Sequence, residues 1–477
     1  MNSKKNKLFV LVLAALFLPL FFTNAQNTKD SIRINIDKAI EIALSENPLM
    51  RIADRDIEVK KNYKKEQIAP LFPTVSASAG FNHTLQKQKM VMDMSKMTSA
   101  IAGLIMPAYE AILVHGIPVN LPETGGDGEG GPMEVGSSNN WSTGINFSLP
   151  IIAPAAWFNL KLSQLDVEMA LENARSSKIS LICEVKKAYY GYLLAKDAHH
   201  VLYRNYDNSK LSFEDISRKY EQGIASELEK MRAEVQMKNQ VPSLKSAERN
   251  IELTVMILKI LMGVDVDEAI IFEGTLADFE KKMENTQFPS IDALNLLNNP
   301  DLNKLDITIK QLNTGVKILK ASSSPTLALT GAWQYSTMSD DFKFKNYKWF
   351  PYSYIALGVN IPITSWTGTA YKIKYNKLNI KSLDDQKRYL EDNLKISVLN
   401  SIKEMNHAAE ELESNKNTVL LAEKVFDISK KQYEVGLTTW LDMNAAEVAL
   451  TASLLSYNQS IYNYLSAYAN LEKILGR

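Results

Sequence analysis

The chain contains itself twice, and that duplication limits its possible folds more than any other feature. Leu44-Ser-Glu-Asn47-Pro48 returns as Leu296-Leu-Asn-Asn299-Pro300, and Pro73-Thr-Val-Ser-Ala-Ser-Ala returns as Pro325-Thr-Leu-Ala-Leu-Thr-Gly, each 252 residues on. Gly144-Ile-Asn-Phe-Ser-Leu-Pro150 then matches Gly358-Val-Asn-Ile-Pro362 at a spacing of 214, and Tyr220-Glu-Gln-Gly223-Ile matches Tyr433-Glu-Val-Gly436-Leu at 213. Four matches in one order mark a repeated unit. The spacing shortens by 38 between the second and third matches, so the first copy carries the longer loop, about 86–140 against about 336–351. Each copy opens with a short helix (about 36–45, then about 289–298) stopped at Asn-Pro, where proline ends one helix and opens the next. A second helix reaching Ala69 or Lys320, two extended segments and a very long helical stretch follow.

The extended segments, about 74–85, 141–150, 325–335 and 352–362, alternate with period two. Val75, Ala77, Ala79 and Phe81 share one face of the first, and Trp141, Thr143, Ile145, Phe147 and Leu149 one face of the second. Leu327, Leu329, Gly331, Trp333 and Tyr335, then Ile355, Leu357, Val359 and Ile361, do the same in the second copy, with small or polar residues opposite. Such strands suit a membrane barrel; a soluble pair of hairpins over a core is the other reading.

The helices carry the architecture. No proline interrupts 155–241 or 363–477. An apolar stripe steps by fours and threes from Leu181 through Val185, Tyr192, Leu202 and Phe213 to Tyr220, and returns 213 residues on from Leu394 through Val398, Met405 and Phe426 to Tyr433. Long helices packed side by side show this pattern. A helix of about 65 residues would be about 100 Å long. Each helix breaks at Gly223 or Gly436 and resumes, which makes two αα-hairpins. Pro242 should kink the first return helix.

Residues 1–25 read as a secretory signal: Lys4, Lys5 and Lys7, an apolar run from Leu8 to Phe22, then Thr23-Asn24-Ala25. An uncleaved anchor is the competing reading, and the run is short for a span of about 20 residues. Over the whole chain 54 Lys and Arg balance 54 Asp and Glu, so no basic excess exists to hold nucleic acid. One cysteine, Cys183, excludes an intrachain disulfide, and with five scattered histidines it offers little for a metal cage. No phosphate loop, Ser-His-Asp order or zinc motif stands out. The expectation is no enzyme, no cofactor and no resident metal.

The order signal, helix, Asn-Pro, helix, strand, strand, long helix, Tyr-x-x-Gly turn, helix, twice over, resembles the TolC-type outer-membrane efflux family across about 30–475. Tyr433-Glu-Val-Gly436-Leu-Thr-Thr-Trp-Leu-Asp442, Pro242-Ser-Leu and the terminal Leu471-Glu-Lys-Ile-Leu-Gly476 carry most of the likeness. The resemblance implies a mainly α protein with a membrane β-barrel, organised as signal 1–25, first repeat 26–263, linker 264–288 and second repeat 289–477. It implies a homotrimer closing a twelve-stranded barrel in outer-membrane lipid, with a helical barrel crossing the periplasm. It further implies an exit duct for small molecules or exported polypeptide, served by a periplasmic adaptor and an inner-membrane transporter. The adaptor would dock on the turns at Tyr220, Gly223, Ile224, Tyr433, Gly436 and Leu437. Asp442 and Glu229, each six residues past a turn glycine, would line the aperture as an acidic ring; alternatively both are solvent-facing residues that favour a helix N-terminus. A second acid common in the family is replaced by Ala445.

Two other readings compete. A periplasmic coiled-coil adaptor would have one hairpin and a compact β-domain, and an uptake porin would have few helices. The loop 86–140 holds Met90, Met92, Met94, Met97, Met106 and Met133 before or beside Gly125–Gly131. Thioethers suit Cu(I) or Ag(I) export, or fill a loop folded over the barrel mouth.

Overall fold

The computed structural model describes residues 32–90, 103–106, 133–283, 296–363 and 366–477. The signal at 1–25, most of the methionine-rich loop and the start of the second short helix lie outside the described residues. In chain order the elements of the first copy are β1 (Ile32–Ile34), α1 (Ile36–Glu46), α2 (Pro48–Glu66), β2 (Thr74–His83), β3 (Gln88–Met90), β4 (Met133–Val135), β5 (Asn139–Ile152), α3 (Pro154–Glu221) and α4 (Glu227–Met262). Then come β6 (Ile270–Phe272), α5 (Leu276–Met283), α6 (Pro300–Ala321), β7 (Thr326–Ser339), β8 (Phe350–Asn360), α7 (Trp366–Glu434) and α8 (Trp440–Leu475). The long helices reach 68 and 69 residues, and both return helices have 36. Pro242 sits inside α4 without ending it. The stretch read as a linker, 264–288, carries β6 and α5.

The chain divides into two units, residues up to 57 with 170–305 and 386–477, and residues 58–169 with 306–385. The second unit is built on one antiparallel sheet in the order β2-β5-β7-β8. Its register aligns Val75, Phe147, Gly331 and Ile355 in one row and Ala77, Ile145, Trp333 and Ser353 in another. Directly paired residues share a face, so the four apolar faces expected from sequence become one face of one sheet. The opposite face is small and polar: Asn146 donates to Ser78 Oγ at 3.0 Å and Gln334 to Asn146 Oδ1 at 3.3 Å, across three strands. A β-carbon on Gly144 would collide with Trp333 O and Gln334, so glycine is needed for β5 to approach β7. The apolar face is uncovered, with Ile355 at 83% exposure and Leu357 at 63%. Contiguous apolar surface of that kind marks a contact with lipid or protein.

The first unit buries its core where α1, α3, α4, α7 and α8 meet, around Val185, Tyr189, Leu193, Leu258, Met405 and Ile461. β1 and β6 pair in parallel, Ile32 to Ile270 and Ile34 to Phe272. The Tyr189 hydroxyl reaches both strands, at 3.1 Å from Ile34 O and 2.6 Å from Glu273 O. The two Asn-Pro sites turn out to be matched joints. Asn47 Oδ1 accepts the Leu49 N–H at 2.7 Å, capping α2, while its Nδ2 donates to Leu261 O at the end of α4 at 2.7 Å. Asn299 does the same for α6 and α8, accepting from Asp301 N–H at 2.9 Å and donating to Ile474 O at 2.8 Å. Both asparagines are buried, and each satisfies orphan groups of two helices at once. Gly263 and Gly476 end α4 and α8 with φ of 70° and 75°. Each lies against the preceding Glu46 or Asn298 carbonyl so closely that no β-carbon fits.

Candidate functional site

α3 and α7 end in the same turn, and the glycines dictate it. Gly223 and Gly436 take φ of 75° and 77°, left-handed values that a β-carbon opposes. The turned backbone lets Ile224 N–H donate to Lys219 O and Leu437 N–H to Gln432 O, both at 2.8 Å. The glycine N–H groups reach Tyr220 O at 2.9 Å and Tyr433 O at 3.1 Å. These bonds satisfy the last carbonyls of each long helix in a Schellman arrangement. Nothing lies within 4 Å of a β-carbon built on either glycine, so conformation rather than crowding selects glycine.

Each return helix then opens with a capping box. Ser226 N–H donates to Glu229 Oε2 at 2.8 Å, and Glu229 N–H donates back to Ser226 Oγ at 3.2 Å. Thr439 N–H donates to Asp442 Oδ2 at 3.3 Å, with the hydroxyls of Thr439 and Thr438 at 2.6 and 3.1 Å. The backbone bond from Ser226 holds the Glu229 carboxyl below the usual range, and the Thr439 hydroxyl does so for Asp442. Both are carboxylates at neutral pH, at the positive ends of their helices. Within one chain each bonds its own cap and not the other acid.

Behind the turns the two hairpins share a small core of Ile216, Ala233, Trp440 and Met443, flanked by Phe213, Phe426 and Tyr433. The Lys219 amine donates to the Tyr433 hydroxyl at 3.4 Å, lies 4.7 Å above that ring, and pairs with Asp215 at 2.8 Å. Tyr433 is therefore half-buried as a link between hairpins, whereas Tyr220 is exposed under Lys230. Ile224 and Leu437 are 72% and 78% exposed. The expected turn residues thus fall at one end of the paired hairpins. In the sequence Trp440 and Thr439 figure only as members of the Tyr433–Asp442 motif, without a role, and neither Lys219 nor Ser226 is flagged. The caps were legible: a Ser or Thr three residues before an acid, at the start of a helix, is the capping-box signature. Among the described residues no group of three or more His, Cys, Asp or Glu is placed to hold a metal ion.

The sequence profile of the outer membrane efflux proteins matches residues 39–264 and again 293–477. The chain belongs to the outer membrane efflux protein family. This efflux protein is similar to the outer membrane protein TolC of Vibrio cholerae, 20% identical over 348 residues that cover 70% of this chain and 76% of the relative. Its fold is similar to the Campylobacter jejuni CmeC outer membrane channel, with a TM-score of 0.67 at 17% identity over 92% of this chain and 85% of that one. It is likewise similar to CusC, with a TM-score of 0.69 at 14% identity over 92% and 91% of the two chains. As a member of the family, the protein is an exit duct of the outer membrane with a periplasmic extension, and it is not an enzyme. The adaptor and porin readings fall with that assignment.

Proposed function

We propose that three copies of the chain build this duct and that it works as the outer-membrane end of a tripartite assembly. Support comes first from the sheet. β2 and β8 are its outer strands, so each leaves one edge without a ladder partner in its own chain. Hydrocarbon satisfies no backbone group, and closure by the strands of further copies removes both edges. Three sheets of four strands give the twelve-stranded barrel. The repeat boundaries 26–263 and 289–477 are part of the same reading.

The exposed Ile224 and Leu437, on turns fixed by Gly223 and Gly436, offer an adaptor an apolar contact on preformed backbone. An inner-membrane transporter would supply the energy. Glu229 and Asp442, ionised and anchored by their caps, would contribute six carboxylates around the aperture of a trimer. Such a ring favours cations.

Native mass spectrometry of the full chain extracted from outer membranes should report three copies per particle; a monomer there overturns the reading. Gly436→Pro, whose ring cannot take the φ of Gly436, and Gly223→Trp should keep the trimer and abolish export. Normal export by both would move the docking surface elsewhere. In planar bilayers Glu229→Ala with Asp442→Ala should lose cation selectivity, and unchanged selectivity would remove both acids from the aperture.

A further inference from the structure

Five residues beyond Asp442, the packed helices enclose a cavity of about 230 Å³. Its floor is polar. Glu447 of α8 and Asn205 of α3 are 5% and 6% exposed, and Glu447 Oε1 and Asn205 Oδ1 are both buried without a hydrogen-bond partner in the protein. Thr451 also lines the cavity; its hydroxyl hydrogen is spent on Glu447 O at 2.9 Å, which leaves its oxygen as an acceptor. The Asn208 side chain of α3, which also lines the cavity, hydrogen-bonds the Glu447 carboxylate, so the acceptors still to be met are Glu447 Oε1, Asn205 Oδ1 and the Thr451 oxygen. Native structures rarely leave such groups unmet.

Charge points the same way. Glu423 and Asp427 of α7 stand at the mouth with one opposing cation, Arg204 of α3, and Lys430 acts on Glu447 from α7. Phe426, Leu450 and Leu454 form an apolar wall, with one aromatic ring to face a cation. Oxygen acceptors, an excess of carboxylate and an apolar wall suit a monovalent cation that itself donates hydrogen bonds. We infer that the cavity binds a small ammonium-type cation, its N–H groups directed to Glu447, Asn205 and Thr451 and any alkyl group to the Phe426 side. Because α3 belongs to one repeat and α7 and α8 to the other, the bound cation ties the two hairpins together. Burial pushes the Glu447 carboxyl above its usual range, so a proton competes for the same oxygen and cation affinity falls with pH.

The test is calorimetric titration of the purified full-chain protein with methylammonium chloride, against sodium chloride at equal ionic strength, at about pH 8 and about pH 5. One saturable site per chain is expected at the higher pH, with affinity at least tenfold weaker at the lower. Glu447→Gln, nearly isosteric, should lose the saturable signal, and Glu423→Gln with Asp427→Asn should weaken it several-fold. Unchanged affinity in Glu447→Gln overturns the proposal. So does an identical sodium isotherm, which would mean no preference for a hydrogen-bond donor, or the absence of any saturable heat, which would leave the proton as sole occupant.

Discussion

The return helices α4 and α8 have the same length and the same place in their repeats, yet they live in different environments. α8 buries twelve residues within its own chain, and α4 buries four. Leu253, Ile257 and Ile260 form an exposed apolar stripe on α4; 213 residues on, α8 has Ser466, Asn470 and Lys473. The glutamates divide likewise. Glu234 and Glu447 each lie eleven residues past their turn glycine, but Glu234 is half-buried and pairs with Lys238 at 2.7 Å while Glu447 is fully buried. Duplication supplied two equal hairpins, and packing then used one as the inner support of the chain. The other keeps an apolar side that its own chain does not cover, as a neighbour in the proposed trimer requires.

Breaking the comparison at its strongest point should have the largest effect. Ile257→Asp with Ile260→Asp would place two unpaired charges in an interface between copies, at a cost of several kcal/mol. Trimer yield on native gels should drop to a trace, while Asn470→Asp on α8 leaves it intact. Full trimer yield from the double variant would show that the α4 stripe faces something else.

The joints, where the repeats agree, should respond alike. Gly263→Ala and Gly476→Ala each force a left-handed residue and press a β-carbon into a carbonyl. Each should cost about 2–4 kcal/mol in urea unfolding. A large cost at one and none at the other would end the argument that the joints are equivalent.

Glu447 sharpens the contrast through pH. Its folded pKa is raised, by burial first. The stability it contributes is therefore complete below a glutamate's ordinary 4.5 and is lost as pH rises through the folded value. In buffer free of ammonium-type cations, Glu447→Gln should flatten that loss and gain about 1–3 kcal/mol over the parent at neutral pH. Parallel pH curves for the two proteins would mean that Glu447 titrates as an exposed acid. The smallest effect belongs to Glu234→Gln, which should leave the unfolding midpoint and its pH profile unchanged; a clear shift would show that Glu234 is covered in the assembly.

Much of this was legible in the residues. The repeats, the glycine turns and the strand faces all announce themselves by period or by recurrence. Within each strand the apolar face follows from alternation alone, and only the register then puts Val75, Phe147 and Ile355 on one face of the sheet. Other features leave no local trace. The amide of Asn47 bonds a carbonyl 214 residues away, so the sequence shows only a helix stop. β6 has three residues and no room for a period, and it falls within what reads as a linker. Glu234 and Glu447 look equivalent in the alignment of the repeats, and only the packing of α3 against α7 and α8 separates them.

The parallel pairing of β1 with β6 has a consequence for the order of folding. Ile34 finds its partner Phe272 only after 238 further residues have joined the chain, and Tyr189 cannot make both of its bonds until then. Contacts of such long range are reached slowly, because loop-closure entropy is lost before the contact forms. During secretion the N-terminal strand must therefore wait, unpaired, while α3 and α4 emerge. The two-stranded ribbon closes late, once the strand after the first repeat has emerged, and the nascent chain stays open to periplasmic chaperones and proteases until it forms.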